Sequence, residues 1–161
     1  MAMRSCFDIK KERAHIRIDT PEEVILDIAS NCKKCGRCCK NGSGFLVKDD
    51  AENISAFLGI TPEKLKQDFL EKVRLFEKAR YRPKLKPNGN CVFLQANRCS
   101  IHPVKPYQCK VSIMDQHSKD LNDWFMLNFF VDKDNKKSVK DWLVRESLNG
   151  SIPGGKPEDL R

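Results

Sequence analysis

Four thiols stand within eight residues in the run Cys32-Lys33-Lys34-Cys35-Gly36-Arg37-Cys38-Cys39. A hydrophobic core has no use for such density. Three cysteines at i, i+3 and i+6, with a fourth directly after, form a metal-ligand array that needs partners from elsewhere in the chain. Cys91, Cys99 and Cys109 supply a second, looser cluster beyond a long insert. The pattern predicts a chain that folds around a thiolate-bound metal or cluster.

The chain of 161 residues suits one domain with a modest core, at 40% hydrophobic and 32% charged residues. A metal that cross-links distant segments compensates for a thin core, because ligand binding is also folding free energy. Met1 to Arg17 mixes charged and apolar residues without a signal-peptide core, so export is not expected. No apolar run approaches the ~20 residues of a membrane span. A cytoplasmic setting follows as the expectation, and there dense cysteines read as metal ligands. The eight cysteines are an even number, which also admits a disulfide framework. The vicinal pair Cys38-Cys39 argues against one, since adjacent cysteines bridge only with a strained peptide. The formal charge of +8 counts every thiol as neutral. A zinc held by four thiolates carries about −2, so bound metal offsets much of the excess. Lys33, Lys34, Arg37 and Lys40 read as a neutralising shell with solvated tips.

The expected fold class is α+β: one small domain of short strands and helices organised around the metal. Residues 1–29 form a strand and helix lead-in, with a strand over 7–18 and a helix opened by Thr20-Pro21-Glu22-Glu23. Residues 30–112 form the cysteine-cluster domain, 113–150 a strand and helix packed on it, and 151–161 a disordered tail. Within the cluster domain, Phe45-Leu46-Val47 reads as a strand. Asp49 caps a helix that presents Ile54, Phe57 and Leu58 and ends at Gly59. Thr61-Pro62-Glu63 opens a second, longer helix with Leu65, Phe69, Val73 and Phe76 as its apolar stripe. Arg82-Pro83 to Pro87-Asn88-Gly89 reads as a proline- and glycine-rich connection, and Arg80-Tyr81-Arg82 with Lys84 and Lys86 as a solvated basic connection. Strands follow on both sides of a turn at Cys91–Leu94 and Asn97–Ile101, then a helical turn over Pro103–Cys109. The apolar run at 124–131 suits a buried strand, and Ser138 opens a last helix with Asp141 as its capping partner.

Three chemistries fit the thiols. Zinc takes four ligands as two chelating pairs, here Cys32/Cys35 with two of Cys91, Cys99 and Cys109, leaving Cys38 and Cys39 for a second metal. A [4Fe–4S] cluster takes three iron corners from C-x-x-C-x-x-C and a fourth from a remote cysteine. An open thiolate site for metal trafficking or thiol redox is the third. The spacing leaves zinc and iron–sulfur open. Cys6, His15 and His117 read as surface or semi-buried side chains, and His102 as structural.

At these residues the chain resembles the cysteine-cluster proteins of the YkgJ type, the CxxCxxCC family of zinc or iron chelators. The resemblance rests on Cys32 to Cys39, Cys91-Val92-Phe93-Leu94, Cys99-Ser100-Ile101-His102 and Lys105-Pro106-Tyr107-Gln108-Cys109, and spans roughly residues 30 to 112. His102 stands where tyrosine is usual and Lys105 where arginine is usual; lysine lacks the planar fork of arginine. The family implies metal chelation by Cys32, Cys35, Cys38, Cys39, Cys91, Cys99 and Cys109, with a structural, redox or metal-handling role. The lysines around an iron–sulfur cluster would tune its potential and dock an acidic protein partner. A similar cluster accompanies flagellin lysine N-methylases, which gives the alternative of an enzyme or enzyme accessory in protein modification. The chain shows no nucleotide loop, nucleophile motif or paired catalytic acids of its own. A nucleic-acid-binding zinc module is the third reading; its basic residues lack interleaved aromatics, and it is disfavoured. Loss of the metal is expected to unfold the chain.

Overall fold

The computed structural model describes residues 16–31, 36, 39–40, 42–111 and 118–149. The expected strand at 7–18 lies mostly outside them, as do Cys6, His15, His117 and the tail. Residues 16–20 form a turn, in which the Thr20 hydroxyl accepts from the Arg17 amide at 2.8 Å. Thr20 is therefore spent before helix α1 (Glu22–Ile28), and Pro21 is the cap residue. A 3-10 turn, Ala29–Asn31, leads on to the cysteine run.

The next two helices start and stop where local chemistry dictates. Helix α2 spans Asp50–Leu58 and ends on Gly59 at φ 69. Asp49 precedes it without a side-chain capping bond. Helix α3 (Pro62–Asp68) is capped by the Thr61 hydroxyl, which accepts from the Lys64 amide.

The long second helix is not there. Phe69 is the C-cap of α3, and the chain turns into an antiparallel hairpin of β1 (Leu70–Leu75) and β2 (Lys78–Pro83). Phe76 and Glu77 form its two-residue turn with φ of 51 and 66, the left-handed pair that matches strand twist and no helix adopts. Val73 and Leu75 alternate with charged residues on β1, a period-2 pattern that the helical spacing of 65, 69, 73 and 76 masks. The basic connection at 80–82 is the second strand of this hairpin. A bulky residue at positive φ is costly, and the tip is held from outside. Phe76 packs edge-on against the buried Trp142 at 5.6 Å, while Glu77 pairs with Arg74 and Lys137.

Strands β3 (Leu94–Gln95) and β4 (Arg98–Cys99) pair across the turn Ala96-Asn97, as the sequence predicts, although both are shorter. A 3-10 turn (His102–Val104) and helix α4 (Tyr107–Val111) replace the single helical turn.

The expected strand at 124–131 is instead the end of helix α5 (Ser118–Phe129) and its exit. Leu121, Trp124, Phe125, Met126 and Leu127 are all buried. Residues 124–127 are buried on consecutive sides of the helix, so this stretch is an apolar run without helical spacing. Helix α6 (Lys136–Asn149) starts before Ser138. Asn135 Oδ1 accepts from the amides of Lys137 and Ser138, at 3.0 and 3.1 Å, and so takes the capping role expected of Ser138. The buried Ser138 hydroxyl accepts from the Asp132 amide instead.

Six helices and two small antiparallel sheets among the described residues make the fold α+β. Its apolar residues form two cores. The first gathers α1, α4, α5 and α6 around Phe125, Phe130 and Trp142. The second gathers α2, α3, the base of the β1–β2 hairpin and the segment from Cys91 to Ile101, and it contains Cys39 and Cys91. The two meet at residues 45–47, where Phe45 and Val47 enter the first core and Leu46 the second. That alternation is the one expected of a strand. Only one amide of the segment bonds like one, Leu46 to the Tyr81 carbonyl at 2.8 Å, so no ladder forms.

Among the described residues no helix is long and apolar enough to cross a membrane.

Candidate metal centre

The two cysteine clusters meet through the backbone. The Cys39 carbonyl accepts from the Cys91 amide at 2.8 Å, across 52 residues of chain. Both residues are buried, at 4% exposure each. Cys39 also closes a turn onto Gly36, its amide donating to the Gly36 carbonyl at 3.1 Å. Gly36 has φ +73, and a β-carbon there would overlap the carbonyl of Asn97 at the tip of the β3–β4 hairpin. Gly36 therefore lies against that hairpin, and only glycine allows the approach.

Cys91 pairs with Leu85 in an isolated bridge, and its carbonyl accepts from the Leu94 amide at 3.0 Å. Cys99 faces Leu94 in the β3–β4 register and is half-buried at the edge of the second core. Lys86 reaches in from outside and donates to the Leu94 carbonyl at 2.8 Å.

Cys109 arrives on α4. Its sulfur occupies the space where a β-carbon of residue 44 would stand, so Gly44 is a cradle for that thiol. Two side chains hold α4 there. Asp50 Oδ2 accepts from the Tyr107 amide at 2.8 Å, and Gln108 Oε1 accepts from the Phe45 amide at 2.8 Å. Burial pushes the Asp50 carboxyl above its ordinary value, against the two amides that it accepts from.

Tyr107 stacks in the first core, and its phenol is pushed up by burial first and then by the Glu22 carboxylate. Its hydroxyl is buried without a partner of hydrogen-bond geometry among the described residues. Glu22 itself is held below the usual carboxylate range by its bond to Lys48. Lys105 is a buried lysine whose Nζ lies 3.5 Å from His102 Nε2. His102 itself is half-buried.

Of the seven cysteines singled out by spacing, Cys39, Cys91, Cys99 and Cys109 are thus placed, and Cys32, Cys35 and Cys38 lie outside the described residues. Lys33, Lys34 and Arg37 lie outside them too, while Lys40 is exposed. Among the described residues no three His, Cys, Asp or Glu side chains form a group able to hold a metal. Sequence reasoning missed Gly44, Asp50 and Gln108. Their partners are fixed by tertiary contact, and no local pattern marks them.

A family model, CxxCxxCC, described as "Putative zinc- or iron-chelating domain", matches residues 31–128. The chain belongs to the CxxCxxCC family. The match takes in all seven cysteines, the hairpin, α4 and most of α5, and so covers both halves of the arrangement above. The donor chemistry fits the family's description: thiolates are soft ligands suited to zinc and to iron–sulfur centres. No solved structure matches the chain.

Proposed function

We propose that Cys32, Cys35, Cys38, Cys39, Cys91, Cys99 and Cys109 bind zinc or an iron–sulfur cluster in a centre that is structural or carries electrons. The observation that carries this reading is the Cys39–Cys91 backbone bond. It joins the last cysteine of the dense run to the first of the remote group, in a core against which Cys99 packs. The cradle at Gly44 brings a further thiol to the segment that follows the dense cluster. Burial of Cys39 and Cys91 favours a closed centre. Structural zinc sites are closed, whereas catalytic ones keep an open position for water or substrate.

The test is anaerobic purification followed by a visible spectrum with iron, zinc and acid-labile sulfide per chain. A brown absorption near ~400 nm with equal iron and sulfide is expected of a cluster, and points to electron transfer. A colourless protein with one or two zinc ions per chain is expected of a structural site. Metal-free protein with all cysteines open to alkylation would overturn both.

A further inference from the structure

The extended segment 44–47 must satisfy its amides without a neighbouring strand, since buried backbone donors are almost always paired. It does so with two side chains and one carbonyl. The Phe45 amide donates to Gln108 Oε1 at 2.8 Å, the Leu46 amide to the Tyr81 carbonyl at 2.8 Å, and the Val47 amide to Asp50 Oδ2 at 2.9 Å. Asp50 and Gln108 thus stand in for a strand edge.

Both side chains also act on α4. The same Asp50 oxygen takes the Tyr107 amide at 2.8 Å, at the first residue of the helix. Gln108 sits on the helix itself, directly before Cys109, and its Nε2 donates to Asn122 Oδ1 at 2.8 Å, which ties it to α5. Asp50 and Gln108 are both buried, at 5% and 9% exposure. Gly44, with the Cys109 sulfur in its cradle, directly precedes the Phe45 amide that Gln108 holds. A one-ångström slip of α4 along the segment would break one of these bonds and push the thiol out.

We infer that Asp50 and Gln108 are positioning residues for the Cys109 thiol, locking it at the metal centre through segment 44–47. The inference rests on the proposed role of Cys109 as a ligand. Groups that orient metal ligands from behind alter metal affinity about 10–100-fold when removed. Both bonds of Asp50 go to a single oxygen. An asparagine amide oxygen can accept both, so the acceptor and not the charge is what positions the helix.

The experiment measures Zn2+ release from the full chain to a chromophoric chelator. Zn2+ is the probe because thiolate sites bind it whatever their physiological metal. Asp50→Ala and Gln108→Ala are expected to release zinc about tenfold faster or more. Asp50→Asn is expected to stay within about twofold of the parent, since it keeps the acceptor. In a Cys109→Ser background, Asp50→Ala is expected to add nothing, because the thiol that it positions is gone. A residue that merely stabilised the fold would speed release equally in both backgrounds, and that result overturns the inference. Release unchanged by Cys109→Ser overturns the ligand role itself. If Asp50→Ala fails to fold, Gln108→Ala carries the same comparison.

Discussion

Three glycines of this chain meet different surroundings, which separates the constraints on each. Gly42 has open space and no positive φ; Gly59 has open space at φ +69; Gly36 has φ +73 and the Asn97 carbonyl in the way. Gly42→Ala should leave stability within about 0.5 kcal/mol. Gly59→Ala should cost about 1–2 kcal/mol, the strain of a left-handed alanine. Gly36→Ala should cost more than Gly59→Ala, because the carbonyl overlap adds to the same strain, and it alone of the three should lower metal per chain. Urea midpoints with metal analysis on the three variants would check the order. A Gly36→Ala protein as stable and as well loaded as Gly42→Ala would mean that Gly36 does not lie on the hairpin tip. Gly36 stands inside the dense cysteine run, and its positive φ is the first constraint on it. Its second constraint comes from a residue 61 positions away, which no local reading supplies.

Among the elements, what was legible depended on whether the signal was local. The Thr61 cap, the Gly59 stop and the β3–β4 hairpin are written in adjacent residues, and the structure has all three. The β1–β2 hairpin was not legible, because its turn is Phe76-Glu77 in place of the usual asparagine and glycine, and tertiary contacts with Trp142 and Lys137 hold it. Helix α5 was misread for a related reason: it is buried on most sides, so strand and helix leave the same apolar run. The seven cysteines stand out by spacing; Asp50 and Gln108, proposed to position Cys109, do not, since they bond across 57 and 63 residues. Burial of α5 has a consequence for pH. Asp123 is nearly inaccessible, and burial raises its carboxyl more than its 2.8 Å bond to the half-exposed Lys119 lowers it. A folded-state value above the unfolded one, about 3.9, means that the folded chain holds this proton more tightly. Stability from this group is then fully present below the unfolded value and declines as pH rises through the raised one. Asp123→Asn keeps an acceptor for Lys119 and cannot ionise. Its stability relative to the parent should therefore improve as pH climbs from roughly 4 towards 7. Urea midpoints of the pair across that range test it, and a difference independent of pH would sink it.

For the molecule as a whole, the two cores divide the work of the metal. The first core holds the largest buried side chains, among them Trp142, Phe125 and Phe130, and none of the cysteines among the described residues. The second holds Cys39 and Cys91, with Cys99 at its edge, and is built from short pieces: two helices of nine and seven residues, the base of a hairpin with six-residue strands, a hairpin with two-residue strands, and loops. Short segments of this kind contribute little stability on their own. A thiolate-bound metal would close the long loop between Cys39 and Cys91 and contribute folding free energy directly. Sequence alone suggests that the entire chain unfolds when metal leaves. The division into two cores makes a graded response the better expectation. After chelation, amides of residues 91–100 should lose most of their hydrogen-exchange protection, while those of Leu121 to Phe129 on α5 and Val139 to Leu143 on α6 should keep theirs. Far-ultraviolet circular dichroism should fall only in part, because the helices of the first core persist. Segment 45–47 belongs to both cores through alternate side chains, and its amides should show intermediate protection. Loss of protection throughout α5 and α6 at the same rate as in the hairpin would show that the metal holds one cooperative unit. Undiminished protection at residues 91–100 after verified metal loss would remove the metal from the account of this core altogether.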